Sequence, residues 1–177
     1  MARYAAFLRG MNLGKRRIKN EELIACFVDL GFAEVGAFLA SGNIAFTAGG
    51  RRATVTKQLE RGLKEALDYE VPTFLRTAAE VQALAQAEPF AASSAKRGKL
   101  QVCLLKAPPK GDVSREVAAF ASDADWLRLV DGDLFWWPEG GLSTSELDLR
   151  GLERLLGPMT IRTHNTVARM AKRFFAG

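Results

Sequence analysis

Short apolar runs alternate along this chain with stretches whose apolar residues recur at helical spacing. Tyr4 to Leu8 is unbroken apolar sequence ending at Arg9-Gly10, which predicts a buried strand. A polar connector follows. Asn20 offers an N-cap before Glu21 and Glu22, and Leu23, Ile24, Phe27, Val28 and Leu30 outline a helix that closes at Gly31. Val35 to Ala40 reads as a second strand, Ser41-Gly42-Asn43 as a tight turn and Ile44 to Thr47 as the return strand. Beyond Gly49-Gly50, Val55, Leu59, Leu63 and Leu67 mark an amphipathic helix, and Val71 to Arg76 a fourth strand. Thr77 with Glu80 forms a capping box for a further helix, stopped at Glu88-Pro89. Ala91 to Lys99 reads as a linker.

The same order then recurs. Leu100 to Lys106 predicts a strand, and Asp112 or Ser114 caps a helix through Val117 and Phe120. Trp126 to Val130 and Leu134 to Trp137 flank Asp131-Gly132-Asp133, a hairpin signal. Ser143 with Glu146 reads as another capping box, opening a helix through Leu147, Leu152 and Leu156 that ends at Gly157-Pro158. Met159 to Arg162 is a last strand, and a basic helix runs from about Asn165 to Phe175. Two successive β-α-β-β-α-β orders place the chain in the α/β (α+β) class, as tandem ferredoxin-like halves over 1–76 and 99–177 with an extra C-terminal helix. A helix and linker over 77–98 join them, and no residue-level identity between the halves is evident. One mixed sheet sharing strands from both halves is the alternative arrangement.

Composition adds constraints. The 177 residues are 48% hydrophobic and 25% charged, as in an ordinary globular protein. No apolar run approaches the ~20 residues of a membrane-spanning helix. No signal-peptide or lipidation pattern opens the chain, so a cytoplasmic protein without membrane association is expected. Cys26 and Cys103 lie apart within apolar patterns and read as buried reduced thiols, and His164 is the single histidine. Neither a metal site nor a cofactor is expected. The net charge of +5 divides unevenly: +6 over residues 1–20, +5 over 150–177 and −6 over the rest. Such asymmetry points to an anionic partner.

Chain direction localises that partner. In a split βαββαβ sheet, strands one and two run parallel with strand three between them. The connector after strand one and the turn after strand two then emerge at one edge. That edge would carry Arg9, Gly10, Asn12, Gly14 and Lys15, followed by Arg16 and Arg17, together with Ser41, Gly42 and Asn43. Cationic groups, amides and glycine N–H groups near a helix start suit phosphate or carboxylate. Gly10 to Lys15 resembles a P-loop but is one residue short, and Arg16 replaces the Ser or Thr that holds magnesium, which excludes nucleotide hydrolysis by that route. Arg162, Asn165 and Thr166 stand at the opening of the last helix, where Thr163 or Asn165 is the cap and His164 a candidate acid/base. Alternation sends Trp136 and Trp137 to opposite sheet faces, and the RNP1 pattern of RNA-recognition domains is absent.

Arg9-Gly10-Met11-Asn12-Leu13-Gly14, Ser41-Gly42-Asn43-Ile44 and Arg162-x-x-Asn165-Thr166-Val167, in this order and spacing, resemble the bacterial domain-of-unknown-function family 1697. The chain departs from that pattern at Lys15, where a second glycine is usual, and at Thr163, where an asparagine is usual. The resemblance implies a small bacterial cytosolic α/β protein and no particular activity. Two functions are therefore carried forward. One is a non-catalytic binder of phosphate-bearing ligands, nucleotide or nucleic acid, through the residues named above. The other is an enzyme acting on a small anionic metabolite, with Arg9 and Arg162 as clamps and His164 as acid/base. A protein-interaction module is a third possibility.

Overall fold

In the computed structural model, which describes residues 1–40, 42–90 and 97–176, the first apolar run becomes β1 (Ala2–Leu8). Helix α1 (Asn20–Asp29), strands β2 (Ala33–Ala37) and β3 (Asn43–Ala48), helix α2 (Arg52–Leu67) and strand β4 (Thr73–Thr77) follow. Helix α3 (Ala78–Gln86) precedes a second series: β5 (Gln101–Leu105), α4 (Ser114–Ala118), β6 (Asp125–Val130), β7 (Asp133–Pro138), α5 (Leu149–Leu156), β8 (Met159–Thr163) and α6 (His164–Phe174). The strands form two four-stranded antiparallel sheets, ordered β2-β3-β1-β4 and β6-β7-β5-β8. The alternative of one shared sheet is thereby excluded. Two compact units result: Met1–Val81 with the chain from Arg173 onward, and Gln82–Lys172.

Within the first unit, β1 and β2 run in the same direction because each pairs antiparallel with β3. One sheet face packs Tyr4, Ala6, Leu8, Ile44, Phe46 and Leu75 against Leu23 and Phe27 of α1 and Val55, Leu59 and Leu63 of α2. Phe27, Phe32 and Phe46 meet at ring-centroid distances of 5.0–6.1 Å, within the range of favourable aromatic packing. On the opposite face Ala5, Phe7, Ala45 and Phe74 are buried as well. Burial on both faces explains why β1 reads as continuous apolar sequence rather than alternation. Part of that second face is closed by the chain's own end. A Cβ on Gly36 would lie 2.7 Å from the Phe174 ring, and Phe174 also meets Phe38 edge-on at 6.4 Å.

In the second unit Cys103, Leu105, Leu134, Trp136 and Met159 pack against Val117, Leu152 and Leu156. Trp136 is buried and donates Nε1–H to Asp125 Oδ1 at 2.7 Å, whereas Trp137 is half-buried and donates to Arg97 O. The expected division of the two rings between faces is therefore observed. The second unit's other face is closed too, with Val102, Leu104 and Phe135 buried.

Some local expectations need correction. Helix α1 begins at Asn20 itself, and Glu22 Oε2 accepts the Lys19 N–H at 2.8 Å. The Asn20 amide instead donates to Leu39 O. Strand β2 ends at Ala37 rather than Ala40. The Ser143–Glu146 pair opens no helix: α5 starts at Leu149, its N-terminus held by Asp148 Oδ1 accepting from Gly151 N–H at 2.8 Å. Nearby, Ser145 Oγ donates to Asp125 Oδ1 at 2.7 Å and shares that acceptor with Trp136. The Thr77–Glu80 box forms as expected, with Thr77 N–H donating to Glu80 Oε2 at 2.7 Å and Glu80 N–H to Thr77 Oγ1 at 3.3 Å. Among the described residues no helix is long and apolar enough to cross a membrane.

Candidate functional site: a braced cationic connector

Antiparallel pairing returns three segments of the first unit to the edge where β1 ends. Leu8 N–H donates to Gly42 O at 2.8 Å, Arg9 N–H to Pro72 O at 3.0 Å, and the Asn20 amide to Leu39 O at 3.1 Å. The β1–α1 connector thus lies beside both the β2–β3 connection and the approach to β4. Within it Asn12 takes a left-handed φ of 58° and its Oδ1 accepts Ile18 N–H at 3.2 Å, closing the loop on itself. Gly42 is pressed against Leu8 and Met11. Asn43 is 2% exposed and donates Nδ2–H to Phe38 O, while Phe38 N–H donates to Asn43 O at 2.8 Å. The asparagines therefore brace the edge. Ser41 lies outside the described residues.

What this bracing presents is charge. Lys15, Arg16, Arg17 and Lys19 are exposed, and none forms an ion pair with a described carboxylate. Arg9 is half-buried, and Gly14 stands open at φ 57°. The Arg16 guanidinium lies over the Tyr69 ring, 4.3 Å from its centroid. Between this connector, α1 and the end of α2 opens a cleft of about 510 Å³ lined by Lys15, Arg16, Arg17, Cys26, Leu67 and Tyr69, among others. Cys26 is half-buried rather than enclosed, and burial, with Asp29 adding to it, raises its thiol pKa. The sequence pattern assigns Leu67 and Cys26 to the core and says nothing of Tyr69, so their place in this cleft comes from the structure. The usable signal was directional: β4 runs antiparallel to β1, so the residues leading into β4 return to the edge where β1 ends.

At the corresponding edge of the second unit a hollow carries acidic rather than basic groups, although Lys106 and Lys110 stand exposed on the same connector. This hollow of about 260 Å³ is lined by Pro108, Gly111, Asp112, Ser114, Asp131 and neighbours, with no Lys or Arg among them. Asp112 Oδ1 accepts the Ser114 N–H at 3.0 Å, and hydrogen bonds from Ser114 hold this carboxyl below the usual carboxylate range.

Arg162, Asn165 and Thr166 belong to the second unit, on β8 and α6. Thr163 is the cap of α6, its Oγ1 accepting Thr166 N–H at 3.1 Å, while Asn165 is exposed. Arg162 NH1 donates to Thr160 Oγ1 and Ile161 O, both at 2.9 Å, and burial lowers its guanidinium to about 10, still cationic at neutral pH. His164 Nε2 sits 3.0 Å from Leu84 O. Contrary to the absence of residue-level repetition expected from sequence, Leu75-Arg76-Thr77 and Ile161-Arg162-Thr163 correspond. Each Arg lies on its unit's last strand opposite the first, donates to the preceding carbonyl at 2.7 or 2.9 Å, and is followed by a Thr that caps a helix.

A family model described as "Protein of unknown function (DUF1697)" matches residues 1–135. The chain belongs to this family. The match takes in the connector and the β2–β3 connection, and the Arg162–Thr166 motif lies beyond it. No curated protein matches the sequence. Among solved structures, a conserved bacterial protein, SP0830 from Streptococcus pneumoniae, is similar at 21% identity with a TM-score of 0.70. The alignment covers 98% of this DUF1697 chain and 99% of that one, a likeness of fold over the whole length. Among the described residues no cluster of His, Cys, Asp or Glu could hold a metal ion.

Proposed function

We propose that this DUF1697 protein binds anionic, phosphate-bearing ligands, nucleotide or nucleic acid, without catalysing a reaction on them. The observation carrying this reading is the run Lys15, Arg16, Arg17 and Lys19, exposed and without an ion pair to a described carboxylate, on a connector fixed by hydrogen bonds at Arg9 and Asn12. The fixed backbone places four cations along one segment, so a phosphate ligand meets them without reordering the connector. The strand order β2-β3-β1-β4, repeated as β6-β7-β5-β8, supports reading the two units as ferredoxin-like halves. RNA-recognition domains of that architecture stack bases on the central strands. Here Ala5, Phe7, Val102, Leu104 and Phe135 at those positions are buried, so contact is assigned to the loop edge.

The enzymatic reading draws less support. The His164 ring is engaged with the Leu84 carbonyl, and the Arg162 guanidinium with its own strand. The test is a titration of the full chain with a labelled single-stranded oligonucleotide and with ATP at low and at physiological salt. Three or four phosphate contacts give a log–log salt slope of about −2 to −3 for a single strand, and the double variant Lys15→Ala/Arg17→Ala lowers that slope by about one. Absence of binding by both probes at low salt ends the proposal.

A further inference from the structure

This inference rests on the phosphate-binding reading and gives it a place and a ligand class. The cleft beside the connector has two kinds of wall. Ile18, Cys26, Leu67 and the Tyr69 ring supply apolar surface, and Lys15, Arg16 and Arg17 supply positive charge. Its volume of about 510 Å³ falls within the range of small-molecule sites, ~300–1,000 Å³. A phosphate backbone alone needs the charge and gains nothing from the apolar wall. A molecule with one flat ring and one phosphate uses both.

Arg16 sets the orientation. Its guanidinium is planar and lies 4.3 Å from the centre of the Tyr69 ring, while Arg16 itself remains exposed. A guanidinium plane backed by an aromatic ring is a surface on which a nucleobase stacks. Glu22 is the one carboxylate among the lining residues and faces three cations, Lys15, Arg16 and Arg17, so the rim stays net cationic. We infer that the cleft between the β1–α1 connector and the end of α2 is a mononucleotide site, with the base stacked on the Arg16–Tyr69 pair and the phosphate held by Lys15 and Arg17.

The two cysteines provide a local readout. Cys103 is 0% exposed, whereas Cys26 lines the cleft and is only half-buried, so a thiol reagent applied to the native chain reports on Cys26. AMP is expected to slow that modification, and inorganic phosphate at equal concentration to leave it nearly unchanged. Arg16→Lys keeps the charge and removes the planar stack. It is expected to weaken AMP binding about ten-fold by equilibrium dialysis while oligonucleotide binding changes by less than about two-fold. If phosphate protects Cys26 as well as AMP does, or Arg16→Lys binds AMP unchanged, the mononucleotide site is refuted and the phosphate-binding reading survives. If neither AMP nor oligonucleotide binds the natural chain, both fall.

Discussion

At the scale of single residues, Gly42 and Gly14 show how two glycines of one site differ. Gly42 has φ +74°, and a Cβ there would lie 2.8 Å from Leu8 Cβ and 2.9 Å from Met11 Cγ. Gly14 has φ +57° with nothing within 4 Å of such a Cβ. Gly42→Ala therefore combines backbone strain with a clash in the core, and is expected to destabilise by about 2–4 kcal/mol. That corresponds to a fall of roughly 5–12 °C in Tm by differential scanning calorimetry. Gly14→Ala meets the strain alone and should lose about 1–2 kcal/mol. An equal loss at both positions would contradict this account. The sequence marked Gly42 as a turn glycine and Gly14 as part of the anion-facing connector. The difference between them was hidden because it depends on Met11, an apolar residue inside a polar loop that folds back to cover Gly42.

Among the elements, α3 and α5 carried the same N-terminal signature, and only α3 uses it. At Thr77–Glu80 nothing competes for the Thr hydroxyl, and Glu80 also accepts from Arg52 at 2.6 Å. In the second unit the Ser143–Glu146 pair lies ahead of the helix, and Asp148 Oδ1 accepts the Gly151 N–H to hold the start of α5. Burial pushes the Glu80 carboxyl upward, but the Arg52 guanidinium and the Thr77 N–H and hydroxyl outweigh it and leave the group below the usual carboxylate range. A carboxyl lowered by folding stabilises the native state above its unfolded pKa, and that stabilisation disappears as pH falls through the folded value. Glu80→Gln is expected to lose about 0.5–1 kcal/mol at neutral pH, a modest figure because the pair is partly exposed. The gap between variant and natural chain should narrow as pH falls below the usual glutamate range, as followed by thermal unfolding across the acid range. A gap that stays constant with pH would show that the ion pair contributes nothing.

For the whole molecule, apolar periodicity disclosed the order of strands and helices, because burial of both faces wrote each inner strand as an unbroken apolar run. Charge counting located the cationic connector. It could not disclose that Asp112 and Asp131 line one hollow of the second unit, since the β6–β7 hairpin brings Asp131 back beside the β5–α4 connector. Nor does the sequence show that residues from Arg173 onward belong to the first unit. Phe174 seals Gly36 and Phe38, and the Arg3 guanidinium lies 5.9 Å from the centre of the Phe175 ring. A chain ending at Lys172 should thus expose the β2 edge, and limited proteolysis is expected to cleave it between Phe32 and Phe38 faster than the natural chain. Equal cleavage rates would show the seal to be dispensable. The same contact sets an order of events during synthesis. While the ribosome is still adding the later residues, the N-terminal sheet is left with an unfilled seat at Gly36. Its closure waits for Phe174 to emerge, although every strand of that sheet was translated long before.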